Sequence, residues 1–144
     1  MKHTTVIDPT RDEEVIIYAH RRSREVETLE AYIDQMGKEL LGYGTDGQIV
    51  PLRLAEVHCF TVEEGKVYAL TDKEKLVVRL PLYAIEEMLD GEFVRVNQSC
   101  IANIRKIDRF RASIGGALQV VFQNGHRDYV SRRQLKTVKE RMGM

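Results

Sequence analysis

Apolar and polar residues follow two rhythms along the chain. Between residues 23 and 37 the period is helical. Val26, Leu29, Ile33 and Met36 fall at i, i+3, i+7 and i+10, while Glu25, Glu27, Glu30 and Asp34 keep much of the opposite surface acidic. Ser23 suits the N-cap of this helix and Gly37 its C-terminal stop. Just before it, Val15-Ile16-Ile17-Tyr18 is a β-rich apolar run that predicts a strand. From Ile49 onward the runs become short and strand-like.

Val57 to Val62 and Lys66 to Leu70 flank Glu63-Glu64-Gly65 as a hairpin, and Leu76 to Leu80 makes a third strand. Pro81 opens a short helix striped by Leu82, Ile85 and Leu89, with Met88 beside the stripe. Phe93-Val94-Arg95-Val96 resumes the alternation, Asn97-Gln98-Ser99 breaks it, and Cys100-Ile101-Ala102 takes it up again before Asn103. Basic residues interleave with apolar ones from Ile104 to Arg111. Asn124-Gly125 between two apolar runs predicts a further hairpin. Ser131 begins a last helix, with Gln134 placed to complete a capping box and Leu135, Val138 and Met142 as its buried stripe. The Gly42, Gly44 and Gly47 cluster reads as a linker or hairpin turn without the features of a phosphate-binding loop. The expected architecture is mostly β with short helices (α+β). A strand-helix extension over residues 1–45 precedes a multi-stranded β domain over 46–144 that ends in a C-terminal helix. No helix-turn-helix pair is expected.

Charge changes this picture. The chain has 144 residues and a formal net charge of zero, but residues 93–144 hold 11 Lys/Arg against 3 Asp/Glu, a balance of +8. Residues 1–45 carry 6 against 9, and residues 46–92 carry 5 against 10. A segregated basic third is the footprint of an anionic partner, nucleic acid above all. The absence of an 18-residue apolar stretch and of a signal-peptide core leads to the expectation of a cytoplasmic protein that is not membrane-embedded. Cys59 and Cys100 have no metal-ligand spacing and are expected to be reduced and buried. His3, His20, His58 and His126 form no catalytic spacing, and there is no nucleophile elbow. Neither an enzyme, a metal nor a cofactor is therefore expected.

The candidate chemistry lies in the basic third. Arg132 and Arg133 follow Ser131 into the first turn of a helix, where free N–H groups and the helix dipole favour phosphate. Arginine also pairs bidentately with guanine O6 and N7, and the amides of Asn97 and Gln98 can pair with adenine N6 and N7. The Ser99 hydroxyl can reach a phosphate. Phe110 and Tyr129, the aromatics near the basic run, read as strand core, which argues against base stacking on RNA. His20-Arg21-Arg22 reads as a solvated loop, with an anion site as the alternative. The alternative to DNA is a protein-interaction module whose basic third meets an acidic protein.

Phe93-Val94-Arg95-Val96-Asn97-Gln98-Ser99-Cys100-Ile101-Ala102-Asn103, then Asn124-Gly125, then Val130-Ser131-Arg132-Arg133 resembles the LytTR family of bacterial DNA-binding domains, over roughly residues 46–144. The resemblance implies a transcription regulator that binds double-stranded promoter DNA, with loops presented to successive major grooves. It implies two protomers acting together as a homodimer on direct repeats, and a membrane protein partner controlling activity. Carried over by position, Gln98 and Arg133 take the main base contacts, with Asn97 and Ser99 beside the first. Arg132, Gln134 and Lys136 lie near the second, and Lys66 serves a further loop. Asn97 departs from the histidine that the family often has there. The β–α start resembles stand-alone regulators without a receiver domain.

Overall fold

A computed structural model describes residues 1–35 and 40–144. Met36 and Gly37, expected in the first helix stripe and at its stop, lie outside the described residues. Among the described residues ten strands form two antiparallel sheets. The larger has the order β2-β1-β5-β4-β3-β7-β6, built from β1 (Leu41–Tyr43), β2 (Ile49–Pro51), β3 (Cys59–Glu63), β4 (Lys66–Leu70), β5 (Lys75–Val78), β6 (Phe93–Asn97) and β7 (Cys100–Asn103). The smaller is β8 (Ile107–Ala112), β9 (Leu118–Phe122) and β10 (Arg127–Val130), in the order β10-β9-β8. Three helices, α1 (Arg24–Gln35), α2 (Leu82–Met88) and α3 (Arg132–Met142), complete the described residues. No two of them are joined by a short turn, so the expected lack of a helix-turn-helix pair holds among these residues.

Period-two alternation sorts the core into two layers. Phe60, Val67, Leu76, Val78, Phe93 and Ile101 point to one face of the large sheet, where Leu82 and Ile85 of α2 cover them. The Phe60 and Phe93 rings sit 5.9 Å apart there. Cys59, Leu70, Val94, Val96, Cys100 and Ala102 point to the other face, against Val120, Phe122 and Val130 of the small sheet and Val138 of α3. Covering on both faces explains why β7 is buried throughout and why its sequence reads as an apolar run. The Cys59 and Cys100 thiols are free and buried together. Their mutual hydrogen bond, then burial, pushes the Cys100 thiol well above its ordinary value.

The structure departs from the sequence reading at the N-terminus. Val15-Ile16-Ile17-Tyr18 forms no strand: the run has no pairing partner among the described residues, and Val15, Ile16 and Tyr18 are all exposed. An apolar run becomes a strand only when a neighbour satisfies its backbone groups. The helix after it forms as expected, with the Val26 N–H donating to the Ser23 hydroxyl at 3.3 Å, and α1 packs on α2. Pro81 is the N-cap of α2 rather than its first residue. The Gly-rich stretch is the β1–β2 hairpin, which joins the sheet through Tyr43 opposite Val77. Gly42 is required by proximity, because a Cβ there would lie 2.8 Å from the Leu76 Cβ.

The Asn124-Gly125 hairpin forms between β9 and β10, and only Gly125 of the pair has positive φ, at 89°. The Gly125 N–H donates to the Phe122 carbonyl and the Phe122 N–H to the His126 carbonyl, which makes a three-residue loop closed by a left-handed glycine. Asn124 stabilises it by accepting from the His126 N–H at 2.9 Å.

Candidate nucleic-acid interface

The β6–β7 turn is held from beneath by backbone and leaves its side chains outward. A bulge between Arg95 and Asn97 sets the turn's direction. The Arg95 guanidinium donates to the Gln98 carbonyl at 2.7 Å and to Glu86 Oε2 at 2.9 Å, so α2 braces the turn. From the other side the Val62 N–H of β3 donates to the Ser99 carbonyl at 2.8 Å. Both turn carbonyls are thus occupied, while the Gln98 and Ser99 residues remain exposed. Residues so fixed lose little further freedom on binding.

Asn97 has a different position from the one expected. It ends β6, is 1% exposed, and all of its amide is committed inside the protein. Its Nδ2 donates to Asp128 Oδ1 at 2.7 Å and to the Tyr129 carbonyl at 2.9 Å, and its Oδ1 accepts from the Ser99 N–H at 2.8 Å. A base edge cannot reach this amide without breaking those bonds, so Asn97 shapes the turn instead of presenting itself at the surface. Burial would raise the Asp128 carboxyl. The nearby His126 ring, the Tyr129 N–H, the Asn97 amide and the Cys100 thiol outweigh it and hold the group below its usual value.

Helix α3 starts beside this turn because its entry is bonded to β6. The Ser131 N–H donates to the Val96 carbonyl at 2.9 Å. Val138, fully buried, and the half-buried Leu135 and Met142 seat the helix against the core. Arg132 and Arg133 occupy its first two positions and are exposed, as is Lys136; Gln134 is half-buried. The expected capping box is absent. The Ser131 side chain makes no cap hydrogen bond, and the Gln134 N–H goes to the Ser131 carbonyl at 3.0 Å. The tight first turn satisfies that N–H with backbone, and so the hydroxyl is not needed.

The β3–β4 turn emerges at the same end of the sheet. Thr61 pairs with Cys100, so the strand ends at Glu63 and Ser99 lie together. Lys66, exposed at the start of β4, stands two strands from β7, roughly 10 Å away at the usual strand spacing. This end of the protein therefore carries Lys66, Gln98, Ser99, Arg132 and Arg133. A cleft of about 870 Å³ is lined by Gln98, Tyr129, Ser131, Arg133 and Gln134 together with Arg24, Tyr83 and Glu86. Tyr129, expected in the core, is 59% exposed. It points outward between Asp128 and Val130, which face in. Sequence reasoning missed Asp128, whose partner lies 31 positions away, and Arg24, which reaches the cleft only through the packing of α1 on α2. No group of three or more His, Cys, Asp or Glu that could hold a metal occurs among the described residues. No helix among them is long and apolar enough to cross a membrane.

Strand turns and a basic helix start gathered on one end of a β scaffold define a nucleic-acid-binding module of the strand-built kind. Residues 47–143 match the model of the LytTr DNA-binding domain, and the chain belongs to that family. It is similar to uncharacterised HTH-type transcriptional regulators of Staphylococcus aureus, including those of strains NCTC 8325 / PS 47 and MW2. Each is 29% identical over 147 residues, covering 100% of this chain and 99% of the relative. The LytTr DNA-binding domain of a protein from Bacillus cereus superposes with a TM-score of 0.68 at 22% identity, over 75% of this chain and 100% of that one, a likeness of fold.

Proposed function

We propose that this protein is a sequence-specific, DNA-binding transcription regulator that acts in the cytoplasm by binding rather than catalysis. Residues 46–144 are the DNA-binding domain, with residues 1–45 as an extension to it. The domain's loops and the start of α3 reach into the major groove of double-stranded DNA, and Gln98 and Arg133 contact base edges there. Ser99, Arg132, Gln134 and Lys136 contact phosphates beside them, and Lys66 serves a flanking contact from its own turn. Two protomers sit on paired direct repeats.

The observation that carries this reading is the bond from the Ser131 N–H to the Val96 carbonyl, which ties the start of α3 to the strand leading into the Gln98 turn. Two exposed elements of the right chemistry are thereby held at a fixed separation, as reading a groove pattern requires. Family membership and the regulator-named relatives support it. The test is a mobility-shift series with the chain's own upstream DNA against a scrambled duplex of the same composition. Tighter binding to the upstream DNA, weakening steeply with added salt, is the expected result. Equal binding to both sinks the regulator reading and favours an acidic protein as the partner of the basic third.

A further inference from the structure

Arg24, which follows the His20-Arg21-Arg22 corner, lines the cleft just described. Ser23 caps α1 and so places Arg24 at the first helical position. Val26, buried, fixes the helix on α2, and the Arg24 guanidinium lies 4.5 Å from the centre of the Tyr83 ring. Tyr83 and Arg24 line the cleft together with Gln98, Tyr129 and Arg133.

The charges do not balance within this cleft. Its carboxylate, Glu86, is already bonded to Arg95 at 2.9 Å. Arg22 is likewise held by Glu30 at 2.5 Å. Among the described residues no carboxylate pairs with Arg24 or Arg133. Two cations facing one cleft repel each other unless an anion lies between or beside them. An arginine held over a tyrosine ring and bonded to no carboxylate has N–H groups to offer, which suits bidentate bonding to a phosphate.

We propose that the N-terminal extension is a third DNA-contacting element, in which Arg24, positioned by Tyr83, engages a backbone phosphate of the duplex seated on Gln98 and Arg133. This inference rests on the DNA-binding reading above. The phosphate contact carries no base preference and adds to affinity on every sequence alike. The extension thereby becomes part of the binding surface, and anything that lifts α1 off α2 weakens DNA binding without touching the base-reading residues.

The test uses the full chain and two duplexes, its own upstream DNA and a random-sequence one, with affinity measured across a salt series. Arg24→Ala should lower the slope of log affinity against log salt by about one on both duplexes, leaving their ratio unchanged. Arg24→Lys, which keeps the cation, should restore most of the slope. Arg24→Cys carrying an iron chelate should cut the bound duplex next to the base positions that Gln98 protects. This arm reads position directly, even where Arg24→Ala loosens α1. An unchanged slope in Arg24→Ala together with absent cutting by the chelate overturns the proposal while leaving the DNA-binding reading intact. Failure of the wild-type chain to bind either duplex overturns both.

Discussion

The Asn97 amide donates to Asp128 Oδ1 at 2.7 Å, joining the end of β6 to β10 across 31 positions of chain. The same residue accepts from the Ser99 N–H, so one side chain fixes both the turn and its distance from the strand feeding α3. The two elements proposed to read DNA therefore share this internal pin in addition to the Ser131–Val96 bond. Replacing Asn97 by Ala leaves Asp128 partly buried without this donor. A loss of about 1–3 kcal/mol of stability follows from unmaking such bonds. Replacement by Asp sets two carboxylates against each other and should be worse. Chemical denaturation of the two variants checks the order, and an Asn97→Asp protein as stable as wild type refutes the pin.

Asp128 also gives the fold an acid-sensitive point. Burial raises its carboxyl, but the His126 ring, the Tyr129 N–H, the Asn97 amide and the Cys100 thiol together hold it below its ordinary value of 3.8. A group with a lowered native pKa stabilises the fold fully above its unfolded pKa. That contribution is lost as pH falls through the native value, so the window lies below about pH 4. Asp128→Asn should be less stable than wild type at neutral pH, and the gap should narrow in acid. Melting curves at several pH values test this, and a gap that stays constant down to strong acid argues against it.

The two basic positions of α3 should separate base reading from charge. Arg133 lies in the cleft shared with Gln98, and Lys136 is exposed one turn further along the helix. Arg133→Ala should cost about 1–3 kcal/mol of binding and relax preference at one base pair. Lys136→Ala should weaken all sequences alike and reduce the salt slope by about one. A randomised-site selection with each variant reads the difference directly. Identical preference profiles for Arg133→Ala and wild type exclude the base contact.

Much of this was legible from local pattern, and what was not depended on distant contacts. The hairpins around Gly65 and Gly125, the α2 stripe and the exposure of Gln98 and Arg133 follow from spacing and turn chemistry within a few residues. Asn97 looked like a turn residue because polar residues next to Gln98-Ser99 usually are, yet its burial depends on Asp128 and Tyr129. Tyr129 looked like core as an aromatic residue in a strand, and the outward phase of β10 reversed that. Val15-Ile16-Ile17-Tyr18 has strand propensity without a partner strand, and propensity alone does not order a backbone. Arg24 carries no local signal, since its position depends on where α1 docks.

Arg95 provides the sharpest separation of scaffold from contact. It is partly buried, its side chain 17% exposed, and it spans from Glu86 on α2 to the Gln98 carbonyl. The geometry requires a forked donor, since one guanidinium must satisfy two acceptors in different directions. Lysine keeps the charge but offers a single ammonium that cannot reach both. Arg95→Lys should therefore lose about 1–2 kcal/mol of stability, as one charge-assisted bond is left unmade. DNA affinity should fall on the preferred site more than on random DNA, because a loosened Gln98 turn loses base reading before it loses phosphate contacts. The salt slope should stay at the wild-type value, since Arg95 is engaged within the protein and releases no counterion on binding. Hydrogen exchange at the Ser99 and Cys100 amides reports the loosening independently of DNA. A salt slope lowered by about one in Arg95→Ala, with those amides protected as in wild type, makes Arg95 a direct phosphate contact and removes it from the brace.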